Sequence, residues 1–501
     1  MKRLFYSLLI LLVTVTAYGQ AGSLDLSFGG TGKVITPIGV GEGGEGHSIA
    51  LQTDSKIVVA GYAYNGTNYD FALVRYKPDG TLDSTFGNNG IVKTFITNAD
   101  DKAFTIAIQS DGKIIAAGYS ANLFALVRYN SDGTLDSGFG TSGIVTTQVD
   151  NLAEINSIII QPDGKIVAAG YTYNGTKNNM AMIRYQTDGT IDSNFGIAGF
   201  VRTSLGSLTD DRIWELALQP DGKIVAAGYS IDYNLSRDYI VTARYNINGT
   251  LDTSFNSTGI VMENIDHYNG SGGSIIIQTD GKIITGGYDS GYDSFVFARY
   301  ETNGALDTTY GTLGIVNGPR GCALDLALQT DGSLVSVGIE DHHTLDVIKL
   351  VRYGINGVGD TTFGIHGIVT TPINQSSRGY STTIQTDGKI LVAGSTYDDT
   401  IWRFATVRYN PGSVGLYEIT VSDGIRVFPN PTTGKITVLI NQSSFTSKSV
   451  LTIYDIRGQT IWQQRIYQKK TEVDLKGLPK GIYLLKLENS GNTKIARIVK
   501  E

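Results

Sequence analysis

Cys322 is the only cysteine among 501 residues, so no intramolecular disulfide can staple the fold and its core alone must hold it. Proline is scarce, at 10 residues against 62 glycines, while Val, Ile, Tyr, Phe and Thr are plentiful. That balance points to many short strands joined by glycine turns. Five histidines leave little material for a transition-metal centre. There is no glycine-rich phosphate loop and no Gly-x-Ser-x-Gly nucleophile elbow. Beyond the first twenty residues no apolar run is long enough to cross a bilayer, so no transmembrane segment is expected.

The first twenty residues, MKRLFYSLLILLVTVTAYGQ, join a basic start (Lys2, Arg3) to an apolar run and small residues at Ala17 and Gly19. This reads as a secretory signal peptide over residues 1–19, with a mature chain starting near Gln20. No cysteine sits at the cleavage site, so no lipoprotein anchor is expected there.

The next signal is repetition. QPDGKIVAAGY occurs at Gln161–Tyr171 and again at Gln219–Tyr229. Gln-x-Asp-Gly-Lys or a close variant starts at Gln52, Gln109, Gln161, Gln219, Gln278, Gln329 and Gln385. An Arg-Tyr pair follows each one, at Arg75, Arg128, Arg184, Arg244, Arg299, Arg352 and Arg408. An Asp-x-x-Phe-Gly element stands at Asp25, Asp83, Asp136, Asp192, Asp252, Asp307 and Asp360, with Asn256 and Tyr310 as local variants. Each unit reads as four strands with an Asp-Gly hairpin turn. The array opens on the end of a unit (LDLSFGGTGKV) and stops in the middle of one (FATVRYN). The seventh unit is complete only if the two ends pair, which is how a ring closes; an open solenoid would want polar caps instead. The fold class expected is all-β: a seven-bladed β-propeller over residues 24–410, closed by pairing of N- and C-terminal strands. These motifs resemble the delta-60 repeat family, a β-propeller family of bacterial secreted proteins. The small residues of KIVAAGY suit places where neighbouring blades crowd together.

Two connections per unit are constant in length. Gln to the Lys position is always four residues, and the Arg-Tyr tyrosine to the next Asp is seven in the six internal cases. Both lie on one face of the ring. The other two connections vary, from four to ten residues and from fifteen to twenty, and belong to the opposite face. Constant turns serve architecture and variable loops are free for recognition. The variable loops are rich in Tyr, Asn and Asp. Tyr64, Tyr69, Tyr173, Tyr233, Tyr292, Tyr397 and Trp402 are the candidate binding residues, each offering a flat apolar surface with a polar handle. The plain alternative is that these rings pack on the blade edges.

Catalytic and metal readings find little support. The repeated Asp-Gly-Thr-Leu-Asp turn faintly resembles a calcium loop, but its first residue changes to Asn at Asn248, Asn303 and Asn356, which preserves turn geometry and not charge. Seven equal Arg and Asp copies argue for an ion pair within each blade rather than an active site. His342-His343 stands beside Glu340, Asp341 and Asp346, yet adjacent strand residues point to opposite faces. The sixth unit drifts furthest, with GSLVSVGIE in place of GKIVAAGY and Cys322 just before its first strand. No base can be placed near that thiol. No catalytic residue, metal or cofactor is therefore expected, and the chain is expected not to be an enzyme.

Composition shifts after Asn410. Residues 411–424 read as a linker, and residues 425–501 carry 13 Lys and Arg against 5 Asp and Glu, or +8. That leaves −15 for the rest of a chain whose total is −7, which argues against nucleic acid as a propeller ligand. Alternating strands (GKITVLI, VLTIYDI, TIWQQRI, GIYLLKL, KIARIVK) predict a small Ig-like β-sandwich. VFPNPTTGKITV, LTIYDIRGQTIWQ and GLPKGIYLLKLENSGNTKIARIVKE together resemble the C-terminal sorting domain of the type IX secretion system of Bacteroidetes. The resemblance carries Pro429, Asn430, Pro431, Gly434, Asp455, Gly458, Gly481, Tyr483, Lys494 and Lys500 as sorting-motif residues. It implies the type IX secretion machinery as a partner and a secreted or outer-surface location. The expected function is binding or adhesion, with a glycan or a protein recognised by the variable face. The alternative is a secreted polysaccharide-acting enzyme with its site near the propeller axis, to be betrayed by unrepeated carboxylates or histidines converging there.

Overall fold

A computed structural model describes residues 20–264, 273–289, 294–340, 345–411, 425–428, 432, 434–440, 449–455, 459–489 and 492–500. The expected signal peptide, the expected linker beyond Pro411, Tyr292, the His342-His343 pair, Pro429, Asn430, Pro431 and Gly458 lie outside the described residues. The chain forms two compact units, one ending at Pro411 and the other starting at Gly412.

The first unit is a seven-bladed propeller of four-stranded antiparallel sheets. Blade 1 is typical, with strands Gly44–Leu51, Ile57–Tyr64, Tyr69–Tyr76 and Ile91–Thr94. The first strand of every blade touches the first strands of both neighbours, so seven inner strands ring the axis without a break. Closure follows the strand-sharing expected from the split repeat. Lys33–Thr36 is the outer strand of blade 7 and pairs with Trp402–Tyr409, Val34 opposite Thr406 and Thr36 opposite Phe404. The ring turns the inner edge strand of each blade toward the axis, where it is protected from pairing with another chain.

The repeated residues weld blades together. Each Arg-Tyr arginine donates from Nε to the aspartate of its own blade, as in Arg184 to Asp192 at 2.8 Å and Arg244 to Asp252 at 2.7 Å. Its NH1 reaches a turn carbonyl of the next blade: Arg184 to Ile247, Arg299 to Ile355, Arg408 to Pro78. The guanidinium also lies over an aromatic ring, 4.7 Å from Phe195 for Arg184. In blade 7 the pair joins Arg408 to Asp25, 383 residues away, at 2.7 Å. The Lys of Gln-x-Asp-Gly-Lys adds a second cation to that aspartate, as Lys165 does to Asp192 at 3.2 Å. Ser333 takes that place in blade 6. The partner tyrosine is buried, and in five blades it bonds to a threonine of the preceding blade, as Tyr185 Oη does to Thr147 Oγ1 at 2.8 Å. The apolar cores likewise lie between blades: Val58, Phe71 and Leu73 of one pack with Ile106, Ile114 and Ala116 of the next.

The second unit has two sheets. Ile425–Phe428, Lys435–Ile440 and Lys470–Asp474 form one; Thr460–Arg465, Val450–Tyr454, Gly481–Asn489 and Asn492–Lys500 form the other. Their inner faces share one core, with Ile436, Val438 and Val473 against Leu451, Ile453, Leu485 and Ile498. Alternation of buried and exposed residues along Lys435–Ile440 is what a sandwich strand requires.

Candidate functional site

The inner strands are not regular. In each of the six blades whose inner strand is described through this point, the register slips by one residue. The slips fall between Gly46 and Ser48, Ala103 and Thr105, Ile155 and Ser157, Ile213 and Glu215, Ala323 and Asp325, and Gly379 and Ser381. Each is a β-bulge, in which two residues oppose one on the partner strand. A regular strand would send Trp214 and Glu215 to opposite faces. The bulge instead turns both toward the axis, leaving Ile213 and Leu216 in the core.

The glycine of the Gly-Tyr element makes the bulge possible. A Cβ at Gly61, Gly118, Gly170, Gly228, Gly338 or Gly394 would stand between 1.7 and 1.9 Å from a carbonyl oxygen of the bulged strand. The sequence expectation that these small residues serve crowding between blades is thus refined: the glycine answers a contact inside its own blade.

Six bulge pairs, His47-Ser48, Phe104-Thr105, Asn156-Ser157, Trp214-Glu215, Leu324-Asp325 and Tyr380-Ser381, line an axial cleft of about 330 Å³. Gly273 holds the corresponding place in blade 5 and lines the cleft without a side chain. One layer nearer the variable face stand Glu45, Lys102, Glu154 and Arg212 on the first four blades, charges of alternating sign, with the neutral Cys322 on blade 6 and Arg378 on blade 7. The inner strands run from the variable face toward the constant turns, so this charged layer is the mouth.

Electrostatics differ from layer to layer. Tyr62 and Tyr380 each donate to Glu45 at 3.0 Å. His47 is stacked on Tyr380, with centroids 4.3 Å apart, and on Tyr62 at 5.1 Å. Burial pushes His47 down to about 4, so the ring is neutral near pH 7. Tyr171 donates to Glu154 at 3.1 Å, and burial raises that carboxyl. Deeper, burial and the charge of Asp325 push Glu215 well above the usual glutamate range, and burial raises Asp325 as well. His47 Nε2, Arg212 Nε and Trp214 Nε1 are buried and find no partner within the protein. Buried polar atoms are rarely left so. Cys322 begins the inner strand of blade 6 rather than preceding it, and burial pushes its thiol up to about 12, which favours the neutral thiol over the thiolate.

The loop residues singled out from sequence fall into two groups. Tyr69 and Trp402 meet the mouth: the Lys102 ammonium lies 4.1 Å from the Tyr69 ring, and the Arg378 guanidinium 4.7 Å from Trp402. Tyr64 packs on Tyr69 at 5.3 Å, and Tyr397 on Trp402 at 5.5 Å. Tyr173, at the end of strand Ile166–Tyr173, and Tyr233, on its loop, stand apart, where Tyr173 donates to the Gly175 carbonyl and Tyr233 to Asp210. In the second unit Gly434 donates to Thr432 Oγ1, Asp455 accepts from the Gln459 amide, and Tyr483 is buried and donates to the Pro479 carbonyl. Lys494 and Lys500 lie on the last strand.

Sequence reasoning missed the axial set. Its signal is columnar. Five and four residues before each repeat glutamine the chain reads His-Ser, Phe-Thr, Asn-Ser, Trp-Glu, Gly-Ser, Leu-Asp and Tyr-Ser, beside strands that otherwise hardly change.

The comparisons with known proteins divide the chain in the same way. Residues 52–86, 109–139, 161–195, 219–255, 278–310 and 385–413 match the model of a domain of unknown function (DUF5122) beta-propeller, skipping the unit that starts at Gln329. Residues 426–501 match a secretion system C-terminal sorting domain. No match is found among curated proteins. Solved structures similar to the chain include an ulvan lyase of polysaccharide lyase family PL25 bound to -[GlcA(1-4)Rha3S]-, at 12% identity and TM-score 0.44, covering 79% of this chain and 96% of that one. The polysaccharide lyase Uly1 matches at 11% and 0.42, over 73% and 90%. An exo-beta-1,3-galactanase from Phanerochaete chrysosporium matches at 10% and 0.31, over 72% and 97%. Such values describe likeness of fold. The expectation that the chain is not an enzyme, drawn from the lack of any catalytic constellation, is corrected: the carboxylates Glu215 and Asp325 both line the axial cleft, and two lyases and a galactanase stand among the similar structures. The chain is a β-propeller of DUF5122 repeats that ends in a type IX secretion sorting domain, and that tail marks it as a secreted or cell-surface protein.

Proposed function

We propose that the protein is an exported glycan-binding propeller whose ligand enters the axial cleft from the variable face. The observation that carries this reading is the bulge ring. Across the seven inner strands the core-facing positions keep small or aliphatic residues, while the first bulge position carries a different residue in every blade: His47, Phe104, Asn156, Trp214, Gly273, Leu324 and Tyr380. Architecture alone has no use for such variety at one layer. A cleft of about 330 Å³ fits one or two sugar units and is within the range of small-molecule sites. His47, Phe104, Trp214 and Tyr380 offer flat apolar faces for sugar rings, and the unpartnered Trp214 Nε1 and Arg212 Nε offer donors for hydroxyl oxygens. A protein partner would need a broad, flat surface instead.

Tyr69 and Trp402, backed by Tyr64 and Tyr397, would extend the site at its mouth, with Tyr173 and Tyr233 as outlying contacts. Residues 1–19 would direct the first export step, and residues 425–501, through the motif residues named above, would present the chain to the type IX machinery. The test is a glycan array followed by calorimetry on the purified full chain. Binding of a saccharide, weakened about tenfold or more by Trp214→Ala, supports the reading. Glycan binding indifferent to Trp214→Ala, or no binding at all, contradicts it.

A further inference from the structure

The layer beneath the aromatic ring holds hydroxyls in five blades, Ser48, Thr105, Ser157, Ser274 and Ser381, and carboxylates in two, Glu215 and Asp325. The position has a structural duty, which is to accept an amide N–H from the neighbouring blade. Ser157 Oγ accepts from the Leu216 amide at 3.1 Å and Ser381 Oγ from the Ile49 amide at 3.4 Å. Glu215 Oε2 does the same for Ile275 at 2.8 Å, and Asp325 Oδ2 for Thr382 at 2.7 Å. A serine therefore suffices for the fold. Two carboxylates in its place cost desolvation and mutual repulsion. Among the described residues no cation offsets them. Besides Asp325, the group acting on Glu215 is the Ile275 amide; those acting on Asp325 are the Thr382 and Leu326 amides and the Ser381 hydroxyl.

Between the two carboxylate blades Gly273 lines the cleft by its backbone, its Cβ position being closed by the backbone of Gly228 in the neighbouring blade. A further observation places a ligand beside the pair. In the same cleft His47 Nε2 and Trp214 Nε1 are buried without partners.

We propose that the axial cleft hydrolyses a glycosidic bond of the saccharide it holds, with Glu215 as general acid and Asp325 as general base; this rests on the reading of the cleft as a saccharide site. Glu215 carries the proton of the pair because repulsion from Asp325 acts on top of its burial. It gives that proton to the bridging oxygen as the bond from the anomeric carbon breaks, its electrons staying on the oxygen. Water adds to the anomeric carbon and loses a proton to Asp325. One water is consumed, two hydroxyl groups result, and the pair ends with one proton, which returns to Glu215 through solvent. Elimination from a uronate is the poorer fit at this layer, since two carboxylates would repel the substrate carboxylate that such a reaction must neutralise.

The test incubates the full chain with laminarin, xylan, galactan, homogalacturonan and sulfated fucan, measuring binding, reducing ends and the ultraviolet absorbance of unsaturated uronates. The expected result is reducing ends without unsaturation from a polymer that binds. Glu215→Gln and Asp325→Asn should slow release by about 10²–10⁴-fold while binding changes little. Glu215→Ser, which supplies the residue other blades use, guards against a folding defect. Binding without cleavage, cleavage unchanged in the variants, or unsaturated products would overturn the hydrolysis and leave the saccharide site standing. Failure of all five polymers to bind would count against both.

Discussion

A methyl group at Gly228 would lie 1.9 Å from the Arg212 carbonyl oxygen, so Gly228→Ala must flatten or shift the bulge that aims Trp214 and Glu215. The variant is expected to lose about 3 kcal/mol, read as a lower urea midpoint, with a changed tryptophan emission. A second residue-scale prediction concerns Glu215. Its folded value lies above 4.5, so the folded state holds a proton that the unfolded state has released. Stability is therefore drained as pH rises from about 4.5 through the folded value. Glu215→Ser removes that drain and keeps an acceptor for the Ile275 amide. It should stabilise the propeller by ~1–2 kcal/mol at neutral pH, with the gain vanishing near pH 4. A variant less stable than the parent at neutral pH would show that the carboxylate serves the fold.

At the scale of the element, the Arg–Asp clamp is the unit that repeats most faithfully. Arg184→Ala leaves the buried Asp192 with Lys165 as its one remaining cation and strips the Ile247 carbonyl of its donor. A loss of about 3–5 kcal/mol follows for a buried pair broken on one side. Hydrogen bonds and the two cations overcome burial and hold Asp192 below 3.8, so this contribution is present above that pH and fades as pH falls through the folded value. The gap between parent and Arg184→Ala in thermal melts should narrow accordingly in acid. The clamp, the hairpin turns and the four-strand count were legible because each needs fixed residues at fixed spacing. The bulges were not. An inserted residue breaks period-2 alternation, and a plain alternating reading sends Trp214 and Glu215 to opposite faces. The charged mouth escaped for a related reason, since Glu45, Lys102, Glu154 and Arg212 look unrelated until the ring brings them together.

For the whole propeller, closure depends on residues far apart in sequence. Removing residues 20–36 takes away the outer strand of blade 7 and the Asp25 carboxylate that pairs with Arg408. The edge of Trp402–Tyr409 is then left open. The truncated chain should lose cooperative unfolding and associate through that edge, visible as oligomers by light scattering; a monomer melting like the parent would refute closure by strand sharing. Within the closed ring, one residue set is free of the repeat and gathered at the axis. Its role is tested most directly by a crystal structure of the protein soaked with a saccharide found to bind it. The account predicts a sugar ring against Trp214 and Tyr380, with Trp214 Nε1 donating to it and Glu215 and Asp325 facing it. A saccharide bound only on the outer blade edges or the constant face, with the axis empty, would contradict it.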